Sequence, residues 1–295
     1  MVPWAFQPNS QDQRDQPMTT QIEKGQAFRA LHQRDHAFII PNPWDIGTAR
    51  LLAHLGFEAL ASTSAGYACS IGVRDYAVGR EAMIAHVAAL ASATHLPVSA
   101  DLENGFADAP AIAAETISLA AAAGVVGGSI EDATGRKEHP IYELALAAER
   151  VRAAAERAHA LEFPFTLTAR AENYLHGRPD LPDTIKRLQA YQEAGADVLY
   201  APGLTSEDDI STLVRSVDRP VNVLMGIPGA SLNLAALSAI GVKRISVGSA
   251  LARTAFGAFL HAAREMQQHG TFTFAERAPA SSREIFAMFD TTGQT

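Results

Sequence analysis

The stretch "AAAGVVGGSIED", residues 121–132, decides the fold. An alanine-rich segment of helical character stops at Gly124, and the chain passes without a linker into an apolar run that ends on two acids. A glycine just past a helix is the residue that takes the left-handed conformation closing it. A short apolar run behind it reads as a strand buried on both faces. The same junction occurs in "AHLGFEALAS", "QEAGADVLYA" and "SAIGVKRISV", where Gly56, Gly195 and Gly241 take the place of Gly124. Repeated helix–glycine–strand units imply a parallel sheet with crossover helices.

Working outward, the pattern predicts strands at 37–41, 58–63, 97–101, 125–131, 165–170, 197–201, 220–225 and 243–248. Helical patterns fill the intervals at 45–55, 79–93, 108–122, 141–159, 182–193, 206–216 and 231–239, and another follows at 250–268. Asp108 is expected to cap the helix that carries Pro110 in its first turn. Ser206 is expected to cap the next-but-two, with Asp209 three residues later. Eight strand–helix units in about 250 residues make a (β/α)8 TIM-type barrel. An open doubly wound sheet would want a glycine-rich fingerprint after the first strand, and "IIPNPWDIG" is not one. The segment "SSREIFAMFD", 281–290, adds a C-terminal helix whose apolar residues pack either on their own barrel or on a neighbouring subunit.

The chain has 295 residues, 47% hydrophobic and 19% charged, with a formal charge of -8. That balance suits a globular protein and argues against nucleic acid or anionic membranes as partners. No apolar stretch approaches the roughly 20 residues that cross a bilayer. The single cysteine, Cys69, excludes an internal disulfide framework and a cysteine-based zinc site, so a reducing cytoplasm fits best. Cys69 itself reads as a small buried hydrophobe. Residues 1–20, rich in Gln, Asp and Pro and without the regions of a signal peptide, read as a disordered tail. Residues 21–295 read as one barrel domain with a C-terminal helical arm.

Active sites of such barrels lie at the C-terminal ends of the strands. The polar residues expected there are Trp44, Thr63, Ser64, Asp101, Glu103, Glu131, Asp132, Arg170, Glu172, Asn173 and Asn222. Strand alternation would send Asp101 and Glu103 to one face. Acids from three strands at one mouth, with one arginine, demand a cation among them. Oxygen donors without a Cys or His cluster point to Mg²⁺ or Mn²⁺. Arg170 supplies the fork that grips a carboxylate or phosphonate. Together these suit a 2-oxo acid that reacts through an enolate. Simpler readings stand beside these: Asp132 and Asn173 as caps or ion-pair partners, Trp44 as core, Asp75 as a turn residue, and Lys137 and His139 as solvated loop.

The ordered set "NPWD", "GVRD", "DLENGF", "GGSIED" and "TARAEN" resembles the isocitrate lyase/phosphoenolpyruvate mutase superfamily over roughly residues 25–270, one motif per expected strand. The resemblance implies a (β/α)8 barrel whose last helix is swapped between subunits of a homo-oligomer, a tetramer in the family. It also implies Mg²⁺ and a small oxo or hydroxy acid. Trp44, Thr63, Ser64, Ala65, Arg170 and Asn222 are then expected to bind substrate, and Asp75, Asp101, Glu103 and Glu131 to serve the metal. Arg170, Glu131 and Lys137 are expected to be catalytic. The family's lyases carry a cysteine in the loop after strand 4, and "EDATGRKEHPIYE" has none. In that loop Lys137 matches a lysine of the family's phosphonate enzymes, while His139 stands where they have Asn. After strand 6, Pro202 replaces a polar residue. The expected function is a Mg²⁺-dependent carbon–carbon lyase of 2-methylisocitrate lyase or oxaloacetate decarboxylase type. Phosphonopyruvate hydrolase or mutase chemistry and a non-catalytic oxo-acid-binding barrel are the alternatives.

Overall fold

A computed structural model describes residues 19–277 and 281–290. Its strands are β1 (Phe38–Ile40), β2 (Leu60–Ala61), β3 (Val98–Asp101), β4 (Gly127–Glu131), β5 (Thr166–Arg170), β6 (Val198–Tyr200), β7 (Val221–Leu224) and β8 (Arg244–Ser246). The helices are α1 (Gln21–His32), α2 (Ile46–His54), α3 (Ser64–Ser70), α4 (Arg80–Ala93), α5 (Pro110–Ala122) and α6 (Leu144–His159). They continue with α7 (Leu181–Glu193), α8 (Glu207–Arg215), α9 (Leu234–Ala239), α10 (Ala250–His269) and α11 (Ser282–Asp290).

The strands are parallel and pair in the order β1-β8-β7-β6-β5-β4-β3-β2, a TIM-type (β/α)8 barrel. The seam between β1 and β2 is bridged by the Ala61 amide, which donates to Pro41 O at 3.1 Å. Asn42 clamps the same seam: its side chain donates to Ser62 O and accepts from the amides of Val247 and Gly248, each at 2.9 Å. The expected glycines close their helices, with φ of 84° at Gly56, 93° at Gly124, 101° at Gly195 and 89° at Gly241.

All eight expected strands are present. Two helices add to the expected set. α1 begins in a capping box between Thr20 and Glu23, so the tail expected over 1–20 gives way to ordered chain at its last residue; residues 1–18 lie outside those described. α3 starts directly after β2, capped by Thr63. One expected cap is corrected. Ala109, not Asp108, occupies the N-cap of α5, because the Asp108 carboxylate is drawn away to Arg136 and the Tyr142 hydroxyl. Ser206 caps α8 as expected, accepting from the Asp209 amide at 3.1 Å. α11 lies against α2 of the same chain.

α1 closes the bottom of the barrel. Phe28 and Leu31 pack with Phe38, Ala59 and Val126, residues at or just before the N-terminal ends of β1, β2 and β4. The fit demands glycine at 127: a Cβ there would stand 2.8 Å from the Phe28 ring and 3.0 Å from Thr166 O. His32 is buried in this plug, bonded through Nδ1 to Phe28 O at 2.8 Å, and burial together with the neighbouring Arg244 pulls its pKa down to about 3. The unfolded chain titrates this group near 6.5. Below that pH the unfolded state takes up a proton that the folded state refuses. Stability credited to a neutral His32 is therefore complete above about pH 6.5 and lost progressively toward pH 3. Urea unfolding at pH 7 and pH 5 is expected to show about 2 kcal/mol less loss in His32→Asn than in the parent chain.

Candidate active site

The ladder sets the register of the site. Glu131 on β4 stands opposite Arg170 on β5, and Arg170 opposite Tyr200 on β6, while Asp101 ends β3 opposite Ser129. These residues therefore reach the C-terminal mouth at a similar level, where the fold places its chemistry.

Arg170 is the hub. Its Nε donates to Glu172 at 2.9 Å, Nη1 to Asp101 at 3.0 Å and Nη2 pairs with Glu131 at 3.0 Å. The Tyr200 ring lies 5.2 Å below the guanidinium carbon. Burial alone would lower the pKa of Arg170, but the charges of Glu131, Glu172 and Asp101 override it and hold the guanidinium firmly protonated. Burial raises the pKa of both Glu131 and Glu172 against the pull of Arg170.

Asp101 also organises the β2–α3 turn. Its second oxygen accepts from the Ser64 amide at 2.9 Å and the Ser64 hydroxyl at 3.0 Å, and its own amide donates to Ser62 Oγ at 2.7 Å. The N-terminus of α3 thereby faces the mouth, with its first amide given to the Asp101 carboxylate. Asp75 sits on the exposed rim with its carboxyl turned to Ser64. Partial desolvation at the mouth and the charge of Asp101 push its pKa up.

The alternation expected of Asp101 and Glu103 is corrected. β3 stops at Asp101, and Glu103 sits in the turn beyond it with a left-handed φ of 48°. Glu103 is buried, its Oε1 has no hydrogen-bond partner, and burial plus the charges of Asp101 and Asp75 push its pKa up to about 8. The other non-glycine residues with positive φ among those described are Tyr76, at 63°, and Phe106, at 67°. Tyr76 donates its hydroxyl to Glu131. Backbone strain thus gathers in the loops around the mouth, as it does at functional sites. Arg150 holds the turn after β3 from behind: it donates to the carbonyls of Asn104, Ala107 and Asp108 and stacks 4.4 Å from the Tyr142 ring.

A cavity of about 210 Å³ opens between these elements. Of the expected residues, Thr63, Ser64, Ala65, Asp75, Asp101, Arg170 and Asn222 line it. Glu131 and Glu103 stand behind that lining, Glu131 bonded to Arg170 and Tyr76. Thr63 spends its hydroxyl on the cap of α3, accepting from the Gly66 amide at 3.2 Å. Trp44 is half-buried beside α3 and does not line the cavity. Lys137 and His139 are exposed. Their loop is folded back on itself by the Ala133–Ile141 bridge and tied to Asp108 through Arg136 at 2.8 Å. Asp132 proves structural: it accepts from the Tyr191 hydroxyl at 2.6 Å, from Arg187 at 3.1 Å and from the Glu172 amide at 2.8 Å. Asn173 donates to Asp183 at 2.6 Å. Cys69, expected inside, is exposed on α3. Glu172, expected at the mouth, is bonded to Arg170 there; Tyr76 and Arg244, which the sequence did not point to, complete the surroundings of the site together with Tyr200.

The donor set fits a hard divalent cation in chemistry though not as a ready cage. Among the described residues no three acids or histidines stand close enough to share an ion, because the Arg170 guanidinium fills the space between Asp101, Glu131 and Glu172. Yet five carboxyl groups (Asp75, Asp101, Glu103, Glu131 and Glu172) surround this one guanidinium, and the Glu103 oxygen is orphaned. Such an excess of buried negative charge calls for protons or a cation.

A parallel barrel with an arginine and a ring of acids at its C-terminal mouth is the architecture of an enzyme that handles small anions. The phosphoenolpyruvate phosphomutase family model matches residues 28–267, and the chain belongs to that family, within the isocitrate lyase/phosphoenolpyruvate mutase superfamily. A crystallised protein of Burkholderia cenocepacia J2315, provisionally assigned as a lyase/mutase, is 63% identical with a TM-score of 0.88, over 91% of this chain and 96% of that one. The 2-methylisocitrate lyase of Bacillus subtilis (strain 168) is 29% identical over 69% of this chain and 67% of its own. An oxaloacetate decarboxylase of Chromohalobacter salexigens is 26% identical over 81% of this chain and 84% of its own.

Proposed function

We propose that the protein is a divalent-metal-dependent lyase that breaks a carbon–carbon bond in a small 2-oxo or 2-hydroxy di- or tricarboxylate through an enolate. The observation that carries this reading is Arg170, buried among three carboxylates beside the orphaned Glu103 oxygen and the N-terminus of α3. The relatives named as 2-methylisocitrate lyase and oxaloacetate decarboxylase support the reaction class.

In this reading Asp101, Glu103, Asp75 and Glu131 hold Mg²⁺ (or Mn²⁺), largely through water, which suits an ion that dehydrates reluctantly. When bound, the ion supplies Lewis-acid stabilisation for charge developing on the oxo oxygen. The rest falls to the chain. Ala65 and the Ser64 donors, which pass to the substrate when Asp101 turns to the cation, receive the substrate carboxylate. Arg170 fixes its orientation and faces the developing negative charge, already aimed by its three carboxylate partners. For an oxaloacetate-like acid, the C3–C4 bond breaks with loss of the C4 carboxylate as CO2, the electron pair of that bond forms the enolate of pyruvate, and a proton from water adds at C3.

Lys137, the residue that phosphorus–carbon chemistry would draw on, is exposed and does not line the cavity. The chain's fit to a second copy belongs to the same reading: α10 leaves Phe259 and Leu260 exposed, a face that pairing of subunits would cover. No described helix is long and apolar enough to cross a membrane.

Proton and phosphorus NMR with Mg²⁺, and again with excess EDTA, tests the reaction. The panel is oxaloacetate, isocitrate, 2-methylisocitrate, citramalate and phosphonopyruvate. We expect EDTA-sensitive pyruvate, succinate or glyoxylate, formed faster than the metal-only blank. Phosphate released from phosphonopyruvate, or no product from any acid, overturns the lyase reading.

A further inference from the structure

The cavity has a second arginine, and it is unlike the first. Arg244 opens β8 and points into the barrel, 5% exposed, one pleat below Ser246. Its Nε donates to Asn222 Oδ1 and its Nη2 to Thr168 Oγ1, both at 2.9 Å, while Nη1 meets His32 Nε2 at 3.5 Å. Every one of these partners is neutral, His32 included, since its protonation is suppressed by burial. Among the described residues no carboxylate pairs with Arg244. Three of the five N–H groups of a guanidinium are thus used, and none of them meets a charge.

A buried guanidinium without a counter-ion is costly. Here burial pulls it down to about 10, which leaves it charged at neutral pH. The other buried arginines differ from it: Arg187 is paired with Asp132 and Asp183, and Arg150, which lines no part of the cavity, gives its donors to three backbone carbonyls. Arg244 has no such partner, yet it lines the cavity together with Asn222 and Ser246. The cavity therefore runs from a mouth crowded with acids to a floor that is cationic. Its volume of about 210 Å³ lies below that of pockets for drug-sized ligands.

We propose that Arg244, carried by Asn222 and Thr168, forms a second anion subsite on the barrel floor that receives the distal carboxylate of a compact dicarboxylate whose reacting end lies at Arg170. The inference rests on the oxo-acid reading and narrows its di- or tricarboxylate to a compact dicarboxylate, with a named residue for the second carboxylate. A second carboxylate supplies the charge that the floor lacks, and it fixes which end of the molecule faces the acids. A monocarboxylate such as pyruvate fills the mouth alone and leaves Arg244 unpaired.

Calorimetric titration of Mg²⁺-loaded protein with succinate and with pyruvate tests this in the parent chain, Arg244→Gln and Arg244→Lys. Succinate is expected to bind at least about tenfold more weakly to Arg244→Gln, as loss of a buried ion pair requires, while pyruvate affinity stays unchanged. Arg244→Lys is expected to recover part of the loss. A crystal structure of the parent protein with succinate supplies the measurement that does not depend on the variants folding, and a carboxylate oxygen is expected within hydrogen-bond distance of the Arg244 guanidinium. Equal losses for both acids, no loss for either, or a succinate that leaves Arg244 untouched overturns the subsite. If pyruvate binds the parent chain while succinate shows no dependence on Arg244, the subsite fails and the oxo-acid reading stands. If neither acid binds the parent chain, both fall.

Discussion

Arg170→Met is expected to lower stability by about 3–5 kcal/mol and turnover by at least about a thousandfold. The stability term follows from what the substitution leaves behind. Asp101, Glu131 and Glu172 each lose their hydrogen bond to the guanidinium and remain beneath the mouth with no cation among the described groups to replace it. Methionine replaces the aliphatic stem but ends near the position of Nε, so the loss reports the unpaired carboxylates together with the space the guanidinium vacates. The turnover term follows from orientation: the same three carboxylates that Arg170 neutralises also aim its fork. Urea unfolding with circular dichroism gives the first quantity, and rates on whichever acid the substrate panel identifies give the second. A variant as stable as the parent chain would mean that the acids are neutralised by protons alone.

Glu131→Gln should separate fold from chemistry. The amide is nearly isosteric, and Arg170 keeps two of its three carboxylates. Stability is expected to change by no more than about 1–2 kcal/mol. Turnover is expected to fall by roughly a hundredfold or more, with weaker binding of Mg²⁺ measured directly by titration. Two properties of Glu131 produce this. Its charge contributes to the excess that attracts a cation, and its two oxygens tie Arg170 to the Tyr76 hydroxyl. Full activity with Mg²⁺ present would remove Glu131 from the site.

The barrel was legible because its signals are local. Each of the four glycine junctions combines a left-handed stop with an apolar run, and a strand buried on both faces has no other way to look. Two helices escaped for different reasons. The capping box of α1, Thr20 with Glu23, was present in the sequence but adjoined a polar tail that masked it. α3 is seven residues long and begins where β2 ends, so its first turn reads as loop. At the site, the acids and Arg170 were legible from their place at strand ends. Glu103 lies in a turn and not on the strand face expected of it, because where a strand stops is set by tertiary contacts and not by alternation. Arg244 was missed for a related reason. In "KRISV" a charged residue at a helix–strand junction looks solvent-facing. Only the pleat, which puts Arg244 and Ser246 inward and Ile245 outward, reveals its direction.

The plug at the bottom of the barrel governs traffic. With Phe28 seated against Gly127 and the rings of His32 and Phe38 packed edge-on around it, the described residues close the barrel at its bottom and leave the mouth as the way in. Whatever enters the cavity leaves the way it came. Under the lyase reading proposed above, the two fragments of a cleaved substrate therefore leave in sequence: the piece nearer the rim departs first, and the piece on the floor waits behind it. Product inhibition by the inner fragment is then competitive with substrate, and the outer fragment inhibits only by re-entering above it.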